Sequence, residues 1–136
     1  PTTPSALQNA GGALDRAALD SLSRVIGGDR QSMAELIQSF LDEAPGLLRD
    51  LQQAIAAEDA GRLHLAAHTI KSSARDFGAG RLAAICQELE DCGRAGRLEG
   101  ATERLWRLEA EYGPVRAALE HEVAACLTEA HAMGAA

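Results

Sequence analysis

Residues 101 to 126 constrain the fold most. Ala101, Leu105, Leu108, Tyr112, Val115, Leu119, Val123 and Cys126 recur at steps of three and four. That spacing keeps one apolar seam on a helix surface, and no strand with a period of two could bury it. The same period governs Met33, Leu36, Ile37, Phe40, Leu41 and Ala44, and resumes after Pro45 at Leu47, Leu48, Leu51 and Ile55. A kink or brief break is expected at Pro45, and a bend at Gly113-Pro114, because proline removes a helix hydrogen bond and crowds the preceding turn.

Three further helices are legible along the chain. A short amphipathic helix is expected in "LDRAALDSLSRVIGG", with Leu14, Ala18, Leu22 and Val25 on one side. It ends at Gly27-Gly28, and Asp29 caps the next helix. A third helix runs from about Asp59 to Asp76 and closes at Gly78. A fourth covers Arg81 to about Arg94, with Leu82, Ile85, Cys86 and Leu89 inward and a stop at Gly96. Long amphipathic helices joined by short connections predict an all-α protein, an antiparallel four-helix bundle with an additional short N-terminal helix. Only four aromatic residues occur in 136, which suits helix packing better than sheets.

This is one domain by length. Residues 1–13, rich in Pro, Thr and Gly, read as a linker-like lead-in, residues 14–130 as the bundle, and residues 131–136 as a C-terminal tail. The net charge of −7 disfavours a nucleic-acid partner. Three cysteines without CxxC spacing predict neither a disulfide framework nor a zinc site, and point to reduced, cytoplasmic thiols. No stretch reaches the length of a membrane span, so direct membrane contact is not expected.

The chemistry concentrates in "GRLHLAAHTIKSSARDFG", residues 61 to 78. At about 100° per residue, Leu63, Ala66, Ile70, Ala74 and Phe77 lie opposite His68, so the core faces away from it. His64, Lys71, Ser72 and Arg75 share its side. Lys71, one turn on, is placed to neutralise negative charge arriving at the imidazole, and Ser72 is small enough to leave the ring open. Neutral histidine is a nitrogen nucleophile near pH 7. Arg62, Lys71, Arg75 and Arg81 stand against one acid, Asp76, so a local basic patch surrounds the histidines despite the acidic total. This surface is suited to transient phosphoryl attachment at His68. His121 and His131 stand apart from this cluster.

"AHTIKSSARDFGAGRLAAICQELE" resembles the signature of histidine phosphotransfer (HPt) domains, and the likeness extends through "GGDRQSMAELIQSFLDEAP" and "LWRLEAEYGPVRAAL". His68, Lys71, Ser72 and Gly78 match the family pattern, with serine where many members carry glycine. The resemblance implies a relay in which His68 exchanges a phosphoryl group with receiver-domain aspartates, Lys71 stabilises the phosphoryl charge, and His64, Leu65, Ser72 and Arg75 form the docking and access surface. It implies no cofactor of the chain's own, Mg2+ being supplied by the receiver. The chain is not expected to be an enzyme, since no GxxxxGK[ST] loop or kinase signature provides an ATP site.

A monomer with receiver-domain partners is expected, and a sensor kinase in the same parent chain, tethered to the inner membrane, would suit the linker-like start. Two other readings compete: a helical interaction module without phosphotransfer, and a weak metal site at His64 and His68. "HLAAH" lacks the glutamate of HExxH, and no third ligand is evident in the sequence.

Overall fold

The computed structural model describes residues 13–135. Five helices are present among them: α1 (Arg16–Val25), α2 (Arg30–Ala56), α3 (Ala60–Asp76), α4 (Gly80–Ala95) and α5 (Ala101–Ala135). The lead-in expected over residues 1–13 lies outside the described residues except for Ala13, which packs against the core. Residues 131–135 continue α5 rather than forming a separate tail.

Aspartates start three of the helices. Asp15 accepts a hydrogen bond from the Ala17 N–H (3.1 Å), Asp29 from Ser32 (3.0 Å) and Asp59 from Arg62 (3.1 Å). Each satisfies a backbone donor that the first helical turn leaves without a partner. Gly96 ends α4 in the left-handed conformation.

The short links force consecutive helices to run antiparallel. α2 packs on α3, α3 on α4, α4 on α5 and α5 back on α2, which closes the four-helix ring. α1 lies outside it, against α3. Gly78 makes that docking possible. Its φ is +76°, and a Cβ there would stand 2.8 Å from the backbone N and O of Asp15. The Gly78 carbonyl accepts the Asp15 N–H at 2.9 Å. Only glycine combines that φ with that approach. The other tie is ionic: the Arg16 guanidinium grips both oxygens of the buried Glu122 carboxylate on α5, at 2.9 and 2.6 Å.

The core follows the expected stripes, with exceptions. In α1 the buried side chain is Leu19, while Val25 is 82% exposed and Ile26 packs in its place. Helix α1 ends at Val25, so the turn beyond it redirects the chain. Leu36 is 39% exposed rather than buried with the stripe. No break occurs at Pro45, which sits inside α2. Pro45 faces solvent while Phe40, Ala44 and Leu51 stay buried on either side, so packing carries the helix across one missing hydrogen bond. Gly113 and Pro114 are likewise exposed within α5, between the buried Tyr112 and Val115. All three cysteines are free thiols. No helix among the described residues is long and apolar enough to cross a membrane.

Candidate functional site

Leu63, Ala66, Ala67, Ile70 and Ala74 are the buried face of α3. Three of these five side chains are alanine, so α4 lies close along α3 with Leu82, Ile85, Cys86 and Leu89 turned toward the core. On the other side of α3, the His68 side chain is 54% exposed, as its helical position predicted.

Its ring is held from α4. Nδ1 of His68 lies 3.0 Å from Oε1 of Glu90, a carboxylate only 1% exposed. Lys71 reaches the same carboxylate from below, with Nζ at 2.6 and 2.7 Å from its two oxygens and 3.0 Å from Oε1 of Gln87. Arg94, one turn along α4, stands 3.8 Å from Oε2 and 3.3 Å from Asp91. Burial pushes the Glu90 carboxyl up, but the hydrogen bonds and charges of Lys71 and His68 outweigh it and hold it at about 2. Glu90 is therefore ionised at neutral pH.

An ionised carboxylate can only accept, so in the neutral imidazole of His68 it is Nδ1 that carries the proton and Nε2 that keeps its lone pair. The tautomer follows from this hydrogen-bond network. His64 is fixed in the same way: its Nδ1 lies 3.2 Å from the Glu90 backbone carbonyl, another pure acceptor. The two rings are stacked, with centroids 6.2 Å apart and planes 12° from parallel. Among the described residues no group of three or more His, Cys, Asp or Glu is arranged to hold a metal ion.

One placement needs correction. The helical position of Lys71 suggested an outward cation able to meet charge at the ring, yet the residue is 7% exposed and its ammonium is committed to Glu90. A four-carbon stem lets the head group leave the face its Cβ occupies. The remaining candidates sit where the helical count put them. Ser72 is exposed and its hydroxyl donates to the His68 carbonyl at 3.1 Å. Leu65 is 66% exposed, and Arg75 is exposed with no ion pair among the described residues. His64 is half-buried beside His68. Cys86, fully buried nearby, is pushed up to about 12 by burial and by the Glu90 charge, so its thiol stays protonated.

Glu90 escaped the sequence reading, although a signal was there. It lies four residues after the inward Cys86, about 40° around the helix, and an acid so close to a buried stripe requires a cation.

The family model of the Hpt domain matches residues 35–132. The fold is similar to the crystal structure of histidine-containing phosphotransfer protein B (HptB) from Pseudomonas aeruginosa PAO1, with a TM-score of 0.73 and 33% sequence identity. That likeness covers 81% of this chain and 93% of the other. No curated protein sequence matches the chain. A family match across most of the bundle and a solved relative with the same fold lead to one conclusion: the chain belongs to the Hpt, or histidine phosphotransfer, domain family.

Proposed function

We propose that Nε2 of His68 is the atom on which this chain carries a phosphoryl group between receiver-domain aspartates. Hpt domains act as phosphoryl carriers with response-regulator receivers as partners. The observation that carries the assignment to His68 is its half-exposed ring, held by Nδ1 on a buried, ionised Glu90.

The Nε2 lone pair attacks the phosphorus of an aspartyl phosphate in line. The N–P bond forms, the P–O bond to the aspartyl oxygen breaks, and the carboxylate leaves with the bonding pair. The imidazole gains positive charge as Nε2 is phosphorylated, and Glu90 at Nδ1 stabilises it. Reversal hands the group to the next aspartate. Lys71 acts indirectly, by keeping Glu90 ionised. Magnesium belongs to the receiver, which brings most of the electrostatics of phosphoryl transfer, while this chain supplies the nucleophile and its orientation. Leu65 offers the receiver an apolar contact beside the ring.

The test is incubation with a phosphorylated receiver domain, followed by mapping of acid-labile, base-stable phosphate. The expected site is His68. No uptake from any phosphorylated receiver would leave an interaction module instead.

Two surface variants probe access and docking. Helix side chains lean toward the N-terminus, so residue 72 leans over His68. Transfer needs reacting atoms within about 3 to 3.5 Å, which a large side chain can deny. Ser72→Trp is expected to melt close to the parent, within about 0.5 kcal/mol in stability as exposed positions allow, while transferring far more slowly. Ser72→Gly should equal or exceed the parent. A folded tryptophan variant with the parent rate would remove residue 72 from the reactive face.

Arg75→Glu places an acid on the approach to a receiver's acidic active face. Stopped-flow association should slow, most at low salt, and converge with the parent as ionic strength rises. Identical association at every salt concentration would put Arg75 outside the contact.

A further inference from the structure

Gly93 lies buried in the last turn of α4, in a helical position where glycine is a poor helix former relative to alanine. What occupies the space of its missing side chain is the α3 backbone and the Cβ of His64. A Cβ built there would stand 2.7 Å from the Ala60 carbonyl oxygen, 2.7 Å from the His64 backbone nitrogen and 2.8 Å from the His64 Cβ. None of these is the far end of a flexible side chain, so a Cβ could be accommodated only by moving one helix away from the other. The first turns of α3 and the last of α4 are thus in backbone contact at Gly93.

This contact sits beside the reactive pair. Glu90 precedes Gly93 by three residues, hence on the same side of α4. From that turn the Glu90 carbonyl meets the His64 ring at 3.2 Å, and its carboxylate meets the His68 ring at 3.0 Å. We propose that Gly93 is a positioning residue for the transfer reaction: lacking a Cβ, it lets α4 approach α3 closely enough for Glu90 to bond His68 Nδ1 and fix the reactive tautomer. The proposal rests on His68 being the phosphoryl acceptor.

Relieving a 2.7 Å contact to an ordinary 3.4 Å separates the helices locally by about 0.7 Å. Retreat by that distance stretches both histidine contacts to or past the limit of a hydrogen bond, which is about 3.5 Å. Without the carboxylate at Nδ1, the proton is free to move to Nε2, the tautomer that neutral imidazole prefers in water. That shift blocks the nucleophilic nitrogen.

The test compares the parent, Gly93→Ala and a control, Ile37→Val, in the fully buried core of α2 away from this contact. Four quantities are read: the helical circular dichroism, the melting midpoint, the side-chain nitrogen NMR shifts of His68 across pH, and the rate of transfer from one phosphorylated receiver. The expected result for Gly93→Ala is a folded protein whose His68 moves toward the Nε2–H tautomer and transfers at least tenfold more slowly. Ile37→Val should lose some stability while keeping the parent tautomer and rate.

Gly93→Ala with the parent tautomer, whatever its rate, overturns the proposal, as does an equal slowing in the control. So does complete unfolding, which would assign Gly93 to folding alone. A tautomer shift in a system where even the parent accepts no phosphate would instead refute the acceptor role of His68 and leave the spacing role of Gly93 intact.

Discussion

His68→Gln is expected to fold as the parent does and to take up no phosphate from a phosphorylated receiver. The ring is half exposed, and glutamine can still offer an N–H toward Glu90, so little stability is at risk. What disappears is the lone pair. An amide nitrogen is not a nucleophile at neutral pH, and Ser72 next to it has no general base among its hydrogen-bond partners in the described residues. The measurement is acid-labile phosphate by gel or mass, with the melting midpoint recorded on the same samples. His64→Gln should retain uptake, because His64 lacks a carboxylate at Nδ1 and is less exposed. Loss of uptake in His64→Gln together with normal uptake in His68→Gln would reverse the assignment.

The other large effect is expected from Lys71→Met. A solvated lysine would contribute about 1 kcal/mol at most. Lys71 instead neutralises a carboxylate that is 1% exposed, and breaking a buried pair costs about 3–5 kcal/mol because one charge is stranded. The melting midpoint should therefore fall by about 10 °C or more.

Transfer should slow as well, since Glu90 without its ammonium partner is driven toward the neutral acid and no longer enforces the Nδ1–H tautomer. The pH dependence has a definite sign. Glu90 is held at about 2 in the folded protein against an ordinary 4.5, so its ionised form stabilises the fold above pH 4.5. That contribution is lost as the pH falls from 4.5 toward 2. The gap in midpoint between parent and Lys71→Met should be widest near neutrality and shrink across that window.

Lys71→Met combined with Glu90→Leu separates structure from chemistry. Replacing both members of a buried pair by apolar side chains is often neutral, so the midpoint should recover. The transfer rate should not, because His68 has lost the group at Nδ1. A double variant that transfers at the parent rate would show that the carboxylate is idle.

Much of the architecture was legible because it depends on local chemistry. Asp29 and Asp59 offer side-chain acceptors to the first turns of helices, Gly78 and Gly96 end them, and apolar spacing rotates each stripe toward one side. These properties travel with the sequence, and helix boundaries matched to within a residue or two at α3 and α4. The continuity of α2 through Pro45 was not legible, since it depends on packing to either side of the proline outweighing one lost hydrogen bond.

The site divides along the same line. Periodicity determined that His68, Ser72, Leu65 and Arg75 leave α3 on its open side, because for these residues the direction of Cβ largely decides where the side chain ends. Lysine is different. Its Cβ direction places only the base of a long, flexible stem, and the ammonium goes where the nearest buried negative charge draws it. That charge belongs to Glu90, on another helix, at a distance set by the backbone contact at Gly93. Nothing within α3 specifies it. The sequence alone thus determined which imidazole faces solvent, while the packing of α4 on α3 decided which of its nitrogens carries the proton, since a carboxylate 22 residues away fixes the tautomer only once the helices meet.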